Sequence, residues 1–164
     1  MPPADTQRQK IAAALKARAQ AITVAAGFNT DAGLHVTHGY RRPALGDALP
    51  RVAMITAGEV PAVESQDDVL VRNPWPIAFV ATAEVAADDE DALDTAEQLL
   101  ADLKRAIFLP DRTLGGLLSA NQEIGDIKVG AEDTADREPG GTFVEAGVVA
   151  LVSFLESYGA PEVG

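Results

Sequence analysis

The stretch that decides the fold is residues 141–156, GTFVEAGVVALVSFLE, which reads as one long β-strand beginning at Gly141 or Thr142. Successive side chains on a strand point to opposite faces. Phe143, Val149, Leu151 and Leu155 therefore share one face, and Val144, Ala146, Val148, Ala150, Val152 and Phe154 share the other. Both sets are apolar, so both faces of the sheet need cover. Helices supply it on one side. The other side is expected to meet protein, either a loop of the same chain or a neighbouring subunit. At ~3.3 Å per residue the strand would reach ~50 Å, and a bulge is expected near Gly147.

Working outward, residues 123–132 read as the preceding strand, joined to the last one by an acidic loop, 133–140, that contains Pro139-Gly140. Residues 77–85 alternate cleanly, with Ile77, Phe79, Ala81, Ala83 and Val85 on one face. Between these strands, residues 89–108 carry Leu93, Ala96, Leu100, Leu103 and Ile107 at helical steps, and Pro110 ends that helix. The segment 111–121, with Gly115-Gly116, reads as a loop. Upstream, a helix is expected from residue 5 or 6 to about 25 on Ile11, Leu15 and Ile22, with Gly27 as its C-cap. Strands are expected at 34–40, at 51–57 after Pro50, and at 68–72, the last broken by Asn73-Pro74-Trp75-Pro76, with 58–66 as a loop. The economical architecture is α+β: a mostly antiparallel sheet of five to six strands with two helices packed on one face.

At 164 residues, with 47% hydrophobic and 23% charged residues, the chain suits one folded domain with a single core. Aromatics are only 5%, so Ala, Val, Leu and Ile fill that core, and stability is expected to lean on subunit contacts. The absence of cysteine excludes disulfides, thiolate metal sites and cysteine nucleophiles. No apolar run approaches the ~18 residues of a membrane span and the N-terminus lacks a signal-like apolar stretch, so a cytoplasmic protein is expected, unless it is packaged into something that leaves. Charge is divided along the chain. Residues 1–56 hold seven Lys/Arg and three Asp/Glu (+4), whereas 57–164 hold six and twenty-two (−16), which together make the net −12. Such acidity opposes general nucleic-acid binding. It suits a head-to-tail contact between a basic patch on one copy and an acidic patch on the next.

No catalytic, cofactor or metal site emerges from the motifs. Asp88-Asp89-Glu90-Asp91 falls where a helix begins, so it reads as capping, with Asp88 as N-cap, rather than as a cation site. His35 and His38 stand three apart on an expected strand and so point to opposite faces, and no further ligand spacing supports zinc. Ser65, Ser119, Ser153 and Ser157 lack a nucleophile-elbow context, and no P-loop or dinucleotide fingerprint occurs. Arg41-Arg42 beside Tyr40 is the one compact basic element, read as a contact for an acidic neighbour. The candidate interface residues are Arg41, Arg42, Glu64, Asp67, Asp68, Val148, Ala150 and Val152.

Two segments also carry a resemblance. Gly27-Phe28-Asn29-Thr30-Asp31-Ala32-Gly33-Leu34-His35-Val36 follows an N-terminal helix, and Ala101-Asp102-Leu103-Lys104-Arg105-Ala106-Ile107-Phe108 ends a later one. Together they resemble tailed-bacteriophage tail terminator proteins, the minor tail or tail completion proteins of the lambda type. Leu49-Pro50-Arg51-Val52-Ala53-Met54 and the closing strand fit the same plan, so the resemblance spans residues 10–156. It implies an α+β fold and a homo-hexameric ring at the head-proximal end of the tail tube. That ring would stop tube polymerisation and present a surface to head-completion or connector proteins, while DNA passes through its lumen without specific binding. The family's motifs are structural, so no catalytic residue carries over. The alternatives are a head–tail connector, neck or tube protein and, from another class, a small acidic enzyme or metal-binding domain using Asp31, His35 and 88–91.

Overall fold

The computed structural model describes residues 6–56, 63–67, 70–118 and 125–157. The first helix, α1 (Gln7–Gln20), opens on a capping box: Gln9 N–H donates to Thr6 Oγ1 at 3.2 Å, and Thr6 N–H donates to Gln9 Oε1 at 2.7 Å. It ends five residues before the expected boundary. The β-branched run Ile22-Thr23-Val24 weakens the helix, and the Thr23 side chain caps a separate 3-10 turn, Val24–Ala26, by accepting from Ala26 N–H at 3.2 Å. Gly27 closes that turn, rather than α1, at φ 90°.

A second 3-10 turn, Ala32–Leu34, shortens the next strand to β1 (Val36–His38). β1 runs parallel to β2 (Arg51–Ile55), and the other strand pairs among the described residues are antiparallel. Next come β3 (Val63–Asp67), β4 (Leu70–Glu84), α2 (Ala92–Phe108), β5 (Asp126–Ala135) and β6 (Phe143–Ser157). The sheet order is β1-β2-β4-β6-β5, with β3 also paired to β4. This is the expected α+β architecture.

Four strand expectations change. Part of the supposed loop 58–66 is β3, while 57–62 lie outside the described residues. Asn73-Pro74-Trp75-Pro76 does not break the chain; β4 runs straight through it. The reason is position: β2 pairs with residues 78–82 of β4 and β3 with its residues 70–72. Among the described residues, Pro74 and Pro76 therefore have only β6 beside them, so a missing N–H disrupts no second ladder. The bulge falls on β5, where the register slips between Val129 and Glu132, and β4 and β6 stay in register from Leu70↔Ser157 to Glu84↔Phe143. β5 also runs on to Ala135, into the supposed loop 133–140, while 119–124 lie outside the described residues.

The helices lie on one face of the sheet. Ile11, Leu15, Ala19 and Ile22 pack with Leu99, Leu103, Ala106 and Ile107 onto Ile77, Phe79, Val148 and Phe154. The buried side of α2 runs Ala92, Ala96, Leu99, Leu103 and Ala106, so Leu93 falls off the expected stripe and is 47% exposed. Gly33 lies against the end of α1, and its N–H donates to the Ile22 carbonyl at 2.8 Å. The contact admits no side chain, because a Cβ there would meet the carbonyl oxygens of Ala19, Ile22 and Gln20 at 2.5, 2.6 and 2.7 Å.

Candidate functional site

The sheet has two unequal faces. On β6 the positions Val144, Ala146, Val148, Ala150, Val152 and Phe154 are buried beneath the helices. Val148, Ala150 and Val152 are thus core residues at 2%, 0% and 1% exposure, which corrects their assignment to a subunit interface. A strand exposes only one parity, and the outward one holds Glu145, Gly147, Val149 and Leu151. Cross-strand pairing places Ala78 beside Val149, Val80 beside Gly147 and Thr82 beside Glu145 on the same face, with Ile55, Ala53 and Arg51 of β2 next to them.

One end of this outer face is covered from within. The connection between β1 and β2, residues 39–50, forms a strap across it. The Tyr40 hydroxyl lies 2.9 and 3.0 Å from the two carboxylate oxygens of Glu145, and Thr82 Oγ1 donates to the same carboxylate at 3.0 Å. Beneath the strap Arg51 is buried; it pairs with Asp47 at 3.1 Å and donates to the Arg41 carbonyl. Ala53 and Thr82 are buried with it. The hydrogen bond from Arg41, the Ala44 N–H and the charges of Arg41 and Arg51 hold the Asp47 carboxyl below its ordinary range. Burial, followed by the hydrogen bond to Glu145 and its negative charge, pushes the Tyr40 phenol above its ordinary value.

Beyond the strap no other described segment covers the face. Ala78, Val80, Gly147 and Val149 are half-buried and Leu151 is 46% exposed. Its β5 side is polar: Asp133 stands opposite Gly147, Asp126 opposite Ser153 and Lys128 opposite Leu151.

Arg41 and Arg42 are engaged within the chain. Arg41 pairs with Asp47 at 2.8 Å and Arg42 with Glu138 at 3.1 Å, so they hold the strap rather than forming a free basic patch. Glu64 and Asp67 lie on β3, beside residues 70–72 of β4, whereas the strap crosses β4 at Thr82. Ten residues of strand, roughly 33 Å, separate the two groups, so the structure does not join them into one site. Asp68 lies outside the described residues, as does Ser119. His35 and His38 are exposed, and no cluster of three His, Asp or Glu suited to a metal occurs among the described residues. Asp91, not Asp88, is at the N-cap of α2; its side chain makes no capping bond, and its N–H donates to Asp89 Oδ1 at 2.9 Å.

Asp102 of α2 is 1% exposed and accepts four hydrogen bonds. They come from the N–H and Nδ2 of Asn29, both at 3.0 Å, and from the N–H and Oγ1 of Thr30, at 2.8 and 2.7 Å. Arg105 adds a 2.7 Å bond to the Gly27 carbonyl and lies 4.5 Å from the Phe28 ring centroid. Segments 27–30 and 102–105 are therefore docked on one another. Sequence reasoning missed both the Asp102 lock and the Tyr40–Glu145–Thr82 cluster. Their members stand about 72 and 105 positions apart, and no local pattern marks them. Comparison of the chain with protein-family models and with curated proteins returned no match.

Proposed function

We propose that the chain is a structural subunit of a tailed bacteriophage: a tail terminator whose copies close into a ring, expected to be hexameric, at the head-proximal end of the tail tube. The observation that carries this reading is the outer sheet face, apolar at Ala78, Val80, Val149 and Leu151 and, among the described residues, without a helical layer. An apolar sheet surface of this kind is stabilised by protein against it. Direct contact between the two segments that carry the resemblance, through Asp102 and Arg105, adds support, because it makes them one structural unit. The ring would cap the tube and present its other surface to head-completion or connector proteins, with DNA passing through the lumen without specific binding. Its place would then be the virion, after assembly in the bacterial cytoplasm.

The test is electron microscopy of the purified protein, alone and mixed with tail tubes, alongside native mass spectrometry. Closed rings, and tubes whose growth stops when the protein is added, are the expected result. A 17.1 kDa species at every concentration, with tubes that lengthen unhindered, would sink the proposal.

A further inference from the structure

We infer that the open part of the outer sheet face receives the exposed side of α1 from a second copy of this chain, so that successive subunits join head to tail. The inference rests on the ring reading above and names the two surfaces that would make its contact.

Charge selects the occupant. Around Val80, Val149 and Leu151 the open face carries Asp133 and Asp126 of β5, with Lys128 the one cation among the residues facing outward from that strand. Two such faces placed together would oppose their own carboxylates, which disfavours a symmetric face-to-face dimer. α1 has the opposite character: it contains no acidic residue, and while Arg8 packs over Trp75 and Arg18 donates to the Ile107 and Asp111 carbonyls, Lys10 and Lys16 supply positive charge on its outer side. Its inner residues Ile11, Leu15 and Ala19 are in the core, which leaves Lys10, Ala13, Ala17 and Gln20 on one exposed line at steps of three and four. Alanines on that line let the helix backbone come close to the sheet, where Ala78 and Gly147 leave room for it. Lys10 and Lys16 could then reach the carboxylates at the edge.

Geometry agrees with the electrostatics. α1 lies on the helical side of the sheet and the receiving face on the other, so the two surfaces differ and are turned away from each other. A contact between unlike surfaces on opposite sides is heterologous and repeats from copy to copy, closing into a ring where the rotation per step allows it.

Because the chain has no cysteine, introduced thiols report the contact directly. The full-length variant carrying both Ala17→Cys and Leu151→Cys is expected to give a ladder of disulfide-linked dimers, trimers and longer species under mild oxidation. An equal mixture of the two single variants is expected to stop at dimers. Lys10→Glu is expected to lower cross-linking in the double variant several-fold. Efficient dimerisation of Leu151→Cys alone would overturn the inference in favour of a face-to-face contact. Absence of the ladder while native mass spectrometry still shows oligomers would overturn it and leave the ring reading standing. A chain that is monomeric at every concentration would overturn both.

Discussion

Asp102 shows how much a single buried carboxylate can organise. Its four hydrogen bonds hold Asn29 and Thr30 against α2. Asp102→Ala leaves two backbone N–H groups without their acceptor, and we expect a loss of about 2–4 kcal/mol, read as a lower urea midpoint. Asp102→Asn should recover only part of this, because one of its two terminal atoms becomes a donor facing donors. Tyr40 offers a second test at this scale. Its raised phenol pKa means that the folded state holds the proton more tightly than the unfolded chain. The stability this contributes is complete below the ordinary value near ~10 and is lost as pH rises through the higher folded value. The phenolate absorbance difference between wild type and Tyr40→Phe should titrate above that ordinary value. Glu145→Gln should bring it part of the way back, since burial, the largest cause, remains. An unchanged midpoint in Glu145→Gln would show that the carboxylate does not perturb the phenol.

Among the elements, what was legible in advance followed short-range periodicity. Ile11 and Leu15 on α1, Ile22 two residues past its end, and Leu103 and Ile107 on α2 are buried. The misjudged features depend on neighbours that local spacing does not reveal. Pro74 and Pro76 read as breakers because proline costs a ladder bond, yet β4 passes them where neither β2 nor β3 is alongside. Gly33 matters through its close approach to the end of α1, which no local pattern announces. Gly33→Ala is expected to cost about 1–3 kcal/mol as the α1 terminus is pushed away, measured as a drop in the thermal midpoint. A midpoint equal to wild type would mean that the turn yields without cost.

For the whole molecule, the division of charge between +4 and −16 predicts that the proposed assembly depends on ionic strength. Raising salt from ~0.05 M to ~0.5 M shortens the screening length to a few ångströms, so the apparent dissociation constant of self-association should rise several-fold by sedimentation velocity. Indifference to salt would assign the contact to apolar burial alone. By itself the sequence determined the α+β class, the two helices, the double-sided apolar character of β6 and the lack of thiol chemistry, because each follows from composition or a local period. It could not say which parity of β6 the helices would take, since both are apolar and periodicity treats them alike. The tertiary structure decided that by packing Val148, Ala150 and Val152 under α2 and leaving Val149 and Leu151 outward. It also drew Tyr40 across to Glu145 and tied Arg41 and Arg42 into the strap. Those contacts join residues distant in the chain, and only the folded sheet brings them within hydrogen-bonding range.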